Sequence, residues 1–343
     1  MPPANASVSP TTWRSRARSN PLPLWRAHPP ARRGRPWPVI AFLLGAIGCT
    51  PAAEDGLRDQ VGARLRPGTA QRLVALAPDV TEIVFALSAG DRLMAVPATA
   101  NYPEEARRLP HIDPDNVESI VAHRPDLVLA TTAGNDPRIV GRLSALGVRT
   151  FTVDPTSLKR VAESFLLLSD LLGVPTSGRE LERNFSSRVA RARERAAALP
   201  PGTGLYVVWW QPLMVAGPGT FHHDVLAVAG VANLAPAGAG RYPRINPELL
   251  LDPRLDTLVV PDEAEMRAAF SRLAQDAIGR RLTSDAVAVL WLAADPASRP
   301  GPRLVEALEQ LVELRSRAVR SGALPSSAPA STPTHPRPGK PTL

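Results

Sequence analysis

The side chains in this 343-residue sequence that could do chemistry are few and scattered. His222-His223-Asp224 sets two imidazoles beside a carboxylate, the residue types of a metal site. Adjacent rings on a helix point about 100° apart, however, and share one ion poorly. His111-Ile112-Asp113 and His123 add no His-x-x-x-His spacing, so no zinc or iron centre is read here. Covalent and nucleotide chemistry fare no better. There is no Gly-x-Ser-x-Gly and no Walker loop, and the one cysteine, Cys49, has no partner histidine in a catalytic pattern. What remains is a set of polar residues at turns where apolar strands pass into helices. Asp79, Thr131 and Asp295 all sit at such turns, and open α/β sheets bind ligands outside the carboxyl ends of their strands, so the pattern points to binding. A separate pair, Glu118 and Glu248, comes early in two short helical segments, as Asn116-Val117-Glu118 and Asn246-Pro247-Glu248.

These residues require an alternating framework to hold them. Strands are predicted over 72–77, 92–96, 126–130 and 149–153, with helices over 79–88, 115–122 and 136–146 between them. That alternation implies a mostly parallel sheet in a lobe spanning 71–154. Asp79 and Glu82 read as an Asp-x-x-Glu cap for the first helix. From Ser157 to Leu172, apolar residues keep a helical period with no Gly or Pro, predicting a helix of about 16 residues and roughly 24 Å. A charged helix over 179–199 completes the connecting region, 155–199. A second α/β lobe follows over 200–320, with strands over 204–209, 213–216, 257–260 and 286–292. Its helices are expected over 222–229, 247–251, 263–275 and 303–320. The Ser-, Pro- and Ala-rich segment 321–343 is expected to be a disordered tail. Two lobes joined by one continuous helix should close only slightly, because such a helix resists bending.

Charge argues against a nucleic-acid partner. The formal net charge is +8, but Arg14, Arg16, Arg18, Arg26, Arg32, Arg33 and Arg35 precede any acidic residue, and Arg337 and Lys340 lie in the tail. The body between them carries a net charge of about −1. After the basic segment, Val39 to Gly48 is uncharged and largely apolar; at about 10 residues it is too short to span a bilayer as a helix and suits a signal sequence. Ala46-Ile47-Gly48-Cys49 resembles a bacterial lipobox, so 1–48 reads as a basic region and signal peptide, Cys49 as the lipidated residue, and 49–70 as a polar tether. The expected location is the periplasm or cell envelope, with the lipid on Cys49 holding the chain to a membrane.

Four segments follow one another through the first lobe: Leu76-Ala77-Pro78-Asp79-Val80-Thr81-Glu82-Ile83, Asn101-Tyr102-Pro103-Glu104-Glu105-Ala106, Val117-Glu118-Ser119-Ile120-Val121-Ala122-His123-Arg124-Pro125-Asp126-Leu127-Val128-Leu129-Ala130 and Leu143-Ser144-Ala145-Leu146-Gly147-Val148. With Val153-Asp154-Pro155-Thr156-Ser157 closing the run, this order resembles the vitamin B12 and ferric-siderophore binding proteins that feed ABC importers. The resemblance covers about 71–320. It implies an α/β fold of two lobes with mostly parallel sheets, joined by a single long rigid helix, with the ligand in the cleft between them. It also implies a monomeric binder without catalytic residues, intrinsic cofactor or resident metal. Its partners are a small-molecule metal chelate and an ABC permease dimer with its ATPase subunits.

Matched by motif, the ligand contacts would be Asp79, Thr99, Thr131, Trp209, Trp210, Tyr242, Asp295 and Arg299. Glu118 and Glu248 would sit on the lobe tips and meet arginines of the permease. Plainer roles stand beside these. Asp79 serves as a helix cap, Arg299 as a solvated cation, and Glu118 and Glu248 as complements to helix N-termini worth ~0.3–1 kcal/mol. Trp209 and Trp210 are neighbours in a strand, so only one reaches the cleft. A cobalt corrinoid is the first ligand expected, with a ferric siderophore or haem as the alternative, because Thr99 and Thr131 stand where the cobalamin binders place aromatics. The rival from another class is a chelatase-like enzyme on a related two-lobed scaffold.

Overall fold

The computed structural model describes residues 56–68, 70–273, 277–284 and 286–324. Cys49, the segment before it and the tail beyond 324 lie outside the described residues. The described chain begins with a small antiparallel hairpin, β1 (Leu57–Arg58) and β2 (Arg64–Leu65). Polar composition predicts a tether here, and from Gly56 onward the structure differs. Asp59 accepts from the Val61 and Ala63 amides to close the turn, and its second oxygen accepts from the amide of Thr152. The Gln60 side chain accepts from the Asp154 amide, so the hairpin is pinned to the edge of the first lobe.

The first lobe alternates strands and helices: β3 (Leu73–Ala75), α1 (Pro78–Ala86), β4 (Leu93–Pro97), β5 (His111–Ile112), α2 (Val117–Val121), β6 (Leu127–Thr131), α3 (Pro137–Ala145) and β7 (Thr150–Val153). The strands lie in the order β5-β4-β3-β6-β7, all pairs parallel. Every residue of β6 is buried, as expected for a strand covered on both faces. The expected Asp-x-x-Glu cap is corrected. Ala77 occupies the cap position with no side-chain hydrogen bond and Pro78 takes the first helical turn, where its fixed φ suits it. Asp79 is thereby carried inside the helix and turned inward.

Two helices make the connection. Ser157 caps α4 (Leu158–Leu171) by accepting from the Arg160 amide, and after Gly173, at φ +73°, the chain returns as α5 (Pro175–Ala197). The 14 residues of α4 span about 21 Å. The second lobe holds β8 (Gly202–Trp209), β9 (Met214–Val215), α6 (Phe221–Val228), β10 (Val231–Asn233), a 3-10 turn at Pro247–Leu251, β11 (Thr257–Pro261), α7 (Ala264–Leu273), α8 (Ala277–Leu282), β12 (Ala288–Leu292), α9 (Ala294–Ser298) and α10 (Leu304–Arg320). Its sheet runs β10-β8-β11-β12, parallel throughout, with β9 antiparallel on β8.

One apolar core joins these parts. It includes Leu73, Val80 and Ile83 of the first lobe, Val161, Phe165 and Leu168 of α4, and Val225 and Leu308 of the second lobe. Separate clusters cover the outer faces, around Val74, Ile120 and Leu143 on one sheet and Leu205, Leu258 and Met266 on the other.

The joint between α4 and α5 is tight enough to reverse an ordinary rule. Replacing a helical glycine by alanine usually gains up to ~1 kcal/mol. At Gly178 in α5, an added Cβ would lie 1.9 Å from Ser169 Oγ and 2.3 Å from Ser169 Cβ. Gly178→Ala is therefore expected to cost ~1–3 kcal/mol in urea denaturation. Adding Ser169→Gly should recover part of the loss; a stabilised Gly178→Ala single variant would show that the helices can spread.

Candidate functional site

Because each sheet is parallel, the strand ends that carry the predicted residues gather on one edge of each lobe. In the first lobe, β3 leads to Asp79 and Glu82 of α1, β4 to Thr99 and Asn101, β6 to Thr131, and β7 to Asp154. In the second, β8 ends at Trp209 and β12 leads to Asp295 and Arg299. The two edges meet at both ends of a seam.

At the β12 end, Arg299 donates to the Glu82 carboxylate at 3.1 Å, to Asn101 Oδ1 at 2.7 Å, to the Thr99 carbonyl at 3.1 Å and to Asp295 at 2.6 Å. Asn101 closes the ring by donating to the other Asp295 oxygen at 2.9 Å. Arg303 grips the same Glu82 with two hydrogen bonds, of 2.9 and 2.6 Å, and lies 4.0 Å over the Tyr102 ring. At the opposite end, Arg241 approaches Asp154 to 3.9 Å. Asp154 is already held there by Arg160 at 3.1 Å and by the Thr132 hydroxyl.

The expected ligand contacts separate by exposure. Trp209 is 43% exposed and Tyr242 39%; Trp209 ends β8, the strand between β10 and β11, while Tyr242 lies in the loop next to Arg241 and meets the His222 ring edge-on. Trp210 is turned into the core, 7% exposed and edge-on to Phe270, so of the two adjacent tryptophans only Trp209 is available to a ligand. Thr99 is exposed, whereas Thr131 is buried and its hydroxyl accepts from the Ala133 amide to shape the turn after β6.

Asp79 is also buried, at 3% exposure. Burial pushes its carboxyl up to about 6, opposed in part by the Thr131 hydroxyl, and Oδ2 has no hydrogen-bond partner. Asp295 and Arg299 are engaged across the seam as described. Sequence reasoning missed Glu82, Asn101, Arg303 and Arg241 as seam residues, since their partners lie far away along the chain.

The histidines have structural surroundings. His222 is buried, stacked 3.8 Å from the Phe221 ring and 4.4 Å from Tyr206, and burial holds it neutral down to about pH 3 against the pull of the Ala297 carbonyl. His223 Nδ1 lies 3.2 Å from Asn233. Asp224 accepts from the Leu158 amide, so a second-lobe carboxylate covers the N-terminus of α4. Among the described residues, no group of three or more His, Cys, Asp or Glu is placed to hold a metal ion. No described helix is long and apolar enough to cross a membrane.

Glu118 and Glu248 lie in matching settings. Each follows an asparagine that caps its short helix: Asn116 accepts from the Ser119 amide and Asn246 from the Glu248 amide. Glu118 is exposed, with Arg142 3.7 Å away; Glu248 is exposed and accepts from the Asn246 side chain. A depression of about 610 Å³ beside Glu248 is lined by Ile245, Leu249 and Leu251. Another of about 520 Å³ lies between α4, α5 and α6.

Residues 73–281, well over half of the chain, match the family model described as periplasmic binding protein. The chain belongs to that family. This periplasmic binding protein is 29% identical over 250 residues to the vitamin B12-binding protein of Yersinia pestis (strain Pestoides F), covering 71% of this chain and 86% of the relative. Among solved structures it is similar to the periplasmic vitamin B12 binding protein of Vibrio cholerae, with a TM-score of 0.64 and 28% identity over 73% of this chain and 98% of that one. The periplasmic heme-binding protein of Roseiflexus sp. RS-1 in its apo form is comparably similar, with a TM-score of 0.63 and 27% identity over 73% and 99%. The two-lobed α/β architecture of this periplasmic binding protein is thus shared with vitamin B12 and haem binders alike.

Proposed function

We propose that this chain is an envelope-anchored binding protein that delivers cobalamin or another corrinoid to an ABC importer. The observation that carries the reading is the pair of exposed aromatics on the second lobe, Trp209 at the end of β8 and Tyr242 in the loop beside Arg241, in a chain related to vitamin B12-binding proteins. A corrin is a wide, partly apolar plate, and aromatic faces suit it. In this reading the ligand enters between the seam contacts against Trp209, Tyr242 and Thr99, while Asp79 and Thr131 shape the floor from beneath. Glu118 and Glu248 dock the two lobes on a permease dimer, and lipid on Cys49 holds the protein near it. The protein acts as a monomer, has no catalytic step and carries no cofactor of its own.

Haem or a ferric siderophore is the second reading. It is favoured by the similarity to haem-binding structures at nearly the same identity as to the vitamin B12 binder, and by threonines at positions 99 and 131.

Cyanocobalamin should quench the fluorescence of Trp209 with a Kd in the micromolar range or tighter, equivalent to ~8 kcal/mol or more. Trp209→Phe should remove most of the quenching, because Trp210 is buried against Phe270. No quenching and no heat at millimolar corrinoid, with haemin or a ferric siderophore bound instead, would transfer the function to the second reading.

A further inference from the structure

We infer that Glu82, Asn101 and Arg303 are positioning residues that clasp the two lobes at the β12 end of the seam and fix the cleft's aperture before a ligand arrives. The inference rests on the reading of that cleft as the ligand site. Its strongest support is the isolation of Glu82. This carboxylate is on the first lobe with a side chain only 2% exposed, yet both guanidinium groups that satisfy it, Arg299 and Arg303, come from the second lobe at 13% and 15% exposure. A buried carboxylate whose hydrogen-bonding cations lie on another lobe cannot let that lobe move away without being stranded.

Three further contacts act in the same sense. Asn101 binds Asp295 and Arg299 at once, so it reads the position of the second lobe with both ends of its amide. The Tyr102 ring supports Arg303 from below. Gly301 sits directly on the first turn of α1, where an added Cβ would lie 3.5 Å from the Asp79 carbonyl.

Attraction within a buried ion pair is largely offset by the desolvation of both ions, while removal of one partner is costly. The clasp therefore contributes geometry more than stability. Arg299 and Asp295 are held as a consequence, with their polar atoms committed across the seam.

Lobe separation tests this without any ligand. Spin labels on Leu146→Cys in the first lobe and Leu251→Cys in the second, both exposed positions, would be placed in the full chain carrying Cys49→Ser. Double electron–electron resonance should give one narrow distance population for this background and add a longer, broader one for Glu82→Gln. Asn101→Ala strands no buried charge and should do the same to a smaller degree, which decides the matter if Glu82→Gln fails to fold. Val128→Ala, a core change within the first lobe, should leave the distances unchanged.

If about nine-tenths of the unclasped molecules are open, affinity for cyanocobalamin or haemin falls ~tenfold. An unaltered distance distribution in both clasp variants, or equal broadening in Val128→Ala, overturns the clasp. Failure of both probes to bind the unmodified protein would instead count against the proposed function, with the distances still deciding the clasp.

Discussion

Glu118→Ala combined with Glu248→Ala is expected to abolish most uptake in cells while leaving ligand affinity within about twofold. The two carboxylates sit on different lobes, each at the start of a capped, exposed helical turn, and neither touches the seam residues. Charged contacts that become buried in a complex can cost ~2–5 kcal/mol each when one partner is removed, and every 1.4 kcal/mol is about tenfold in Kd. Losing both should prevent complex formation at cellular concentrations. The informative measurement is paired, transport beside ligand titration. Wild-type import, or loss of ligand binding along with import, would remove these glutamates from the docking role.

The second large effect is in stability against pH. His222 titrates at about 3 in the folded protein against an ordinary value of 6.5, so between those limits the unfolded chain holds the extra proton. Stability must then fall as pH drops from about 6.5 to 3, by about 5 kcal/mol over the full window at ~1.4 kcal/mol per pK unit. Asp79 works in the opposite direction. Its folded value of about 6 exceeds the ordinary 3.8, so between pH 6 and 4 the folded protein holds the extra proton and stability rises on acidification, by about 3 kcal/mol in all. The two should nearly cancel from pH 6 to 4, leaving a loss below pH 4. His222→Gln, which keeps an amide N–H for the Ala297 carbonyl, should become more stable from pH 6 to 4. Asp79→Asn should instead lose stability steadily from pH 6.5 downward. Urea denaturation at pH 7, 5 and 3.5 checks this, and parallel curves for both variants and the parent would refute it.

The legible parts of the fold were those with local causes. Ser157 followed by a Gly- and Pro-free apolar period located α4 almost to the residue, and the alternation of aliphatic runs with amphipathic ones located β3, β6, β7 and α3. The helical turns that carry Glu118 and Glu248 were placed from sequence, but their caps were not: Asn116, rather than Asp115, caps the first, and Asn246 caps the second. The β1–β2 hairpin was not legible because its strands have two residues each and Asp59 finds its partner, Thr152, 93 positions later. Asp79 looked like a cap because Asp at a helix start normally is one; the cap falls two residues earlier, at Ala77, which leaves Asp79 buried in the first turn. The Glu82 clasp has partners 217 and 221 positions away, and no periodicity in one segment can report a charge supplied by another. Of the site, sequence pattern located the strand ends, and tertiary packing alone decided which side chains reach solvent.

The apolar core that passes from Ile83 through Phe165 to Leu308 bears on how the molecule is made as well as how it works. Neither lobe can complete its interior without α4, and α4 cannot be covered without both lobes. Cutting the chain between them would leave two fragments, each with an open hydrophobic wall, so the lobes are not independent folding units. The first lobe, emerging earlier during synthesis, has to wait for more than a hundred further residues before Arg299 and Arg303, the second-lobe partners of its buried Glu82, are made. Until then the incomplete chain exposes apolar surface, the condition under which unfinished chains aggregate.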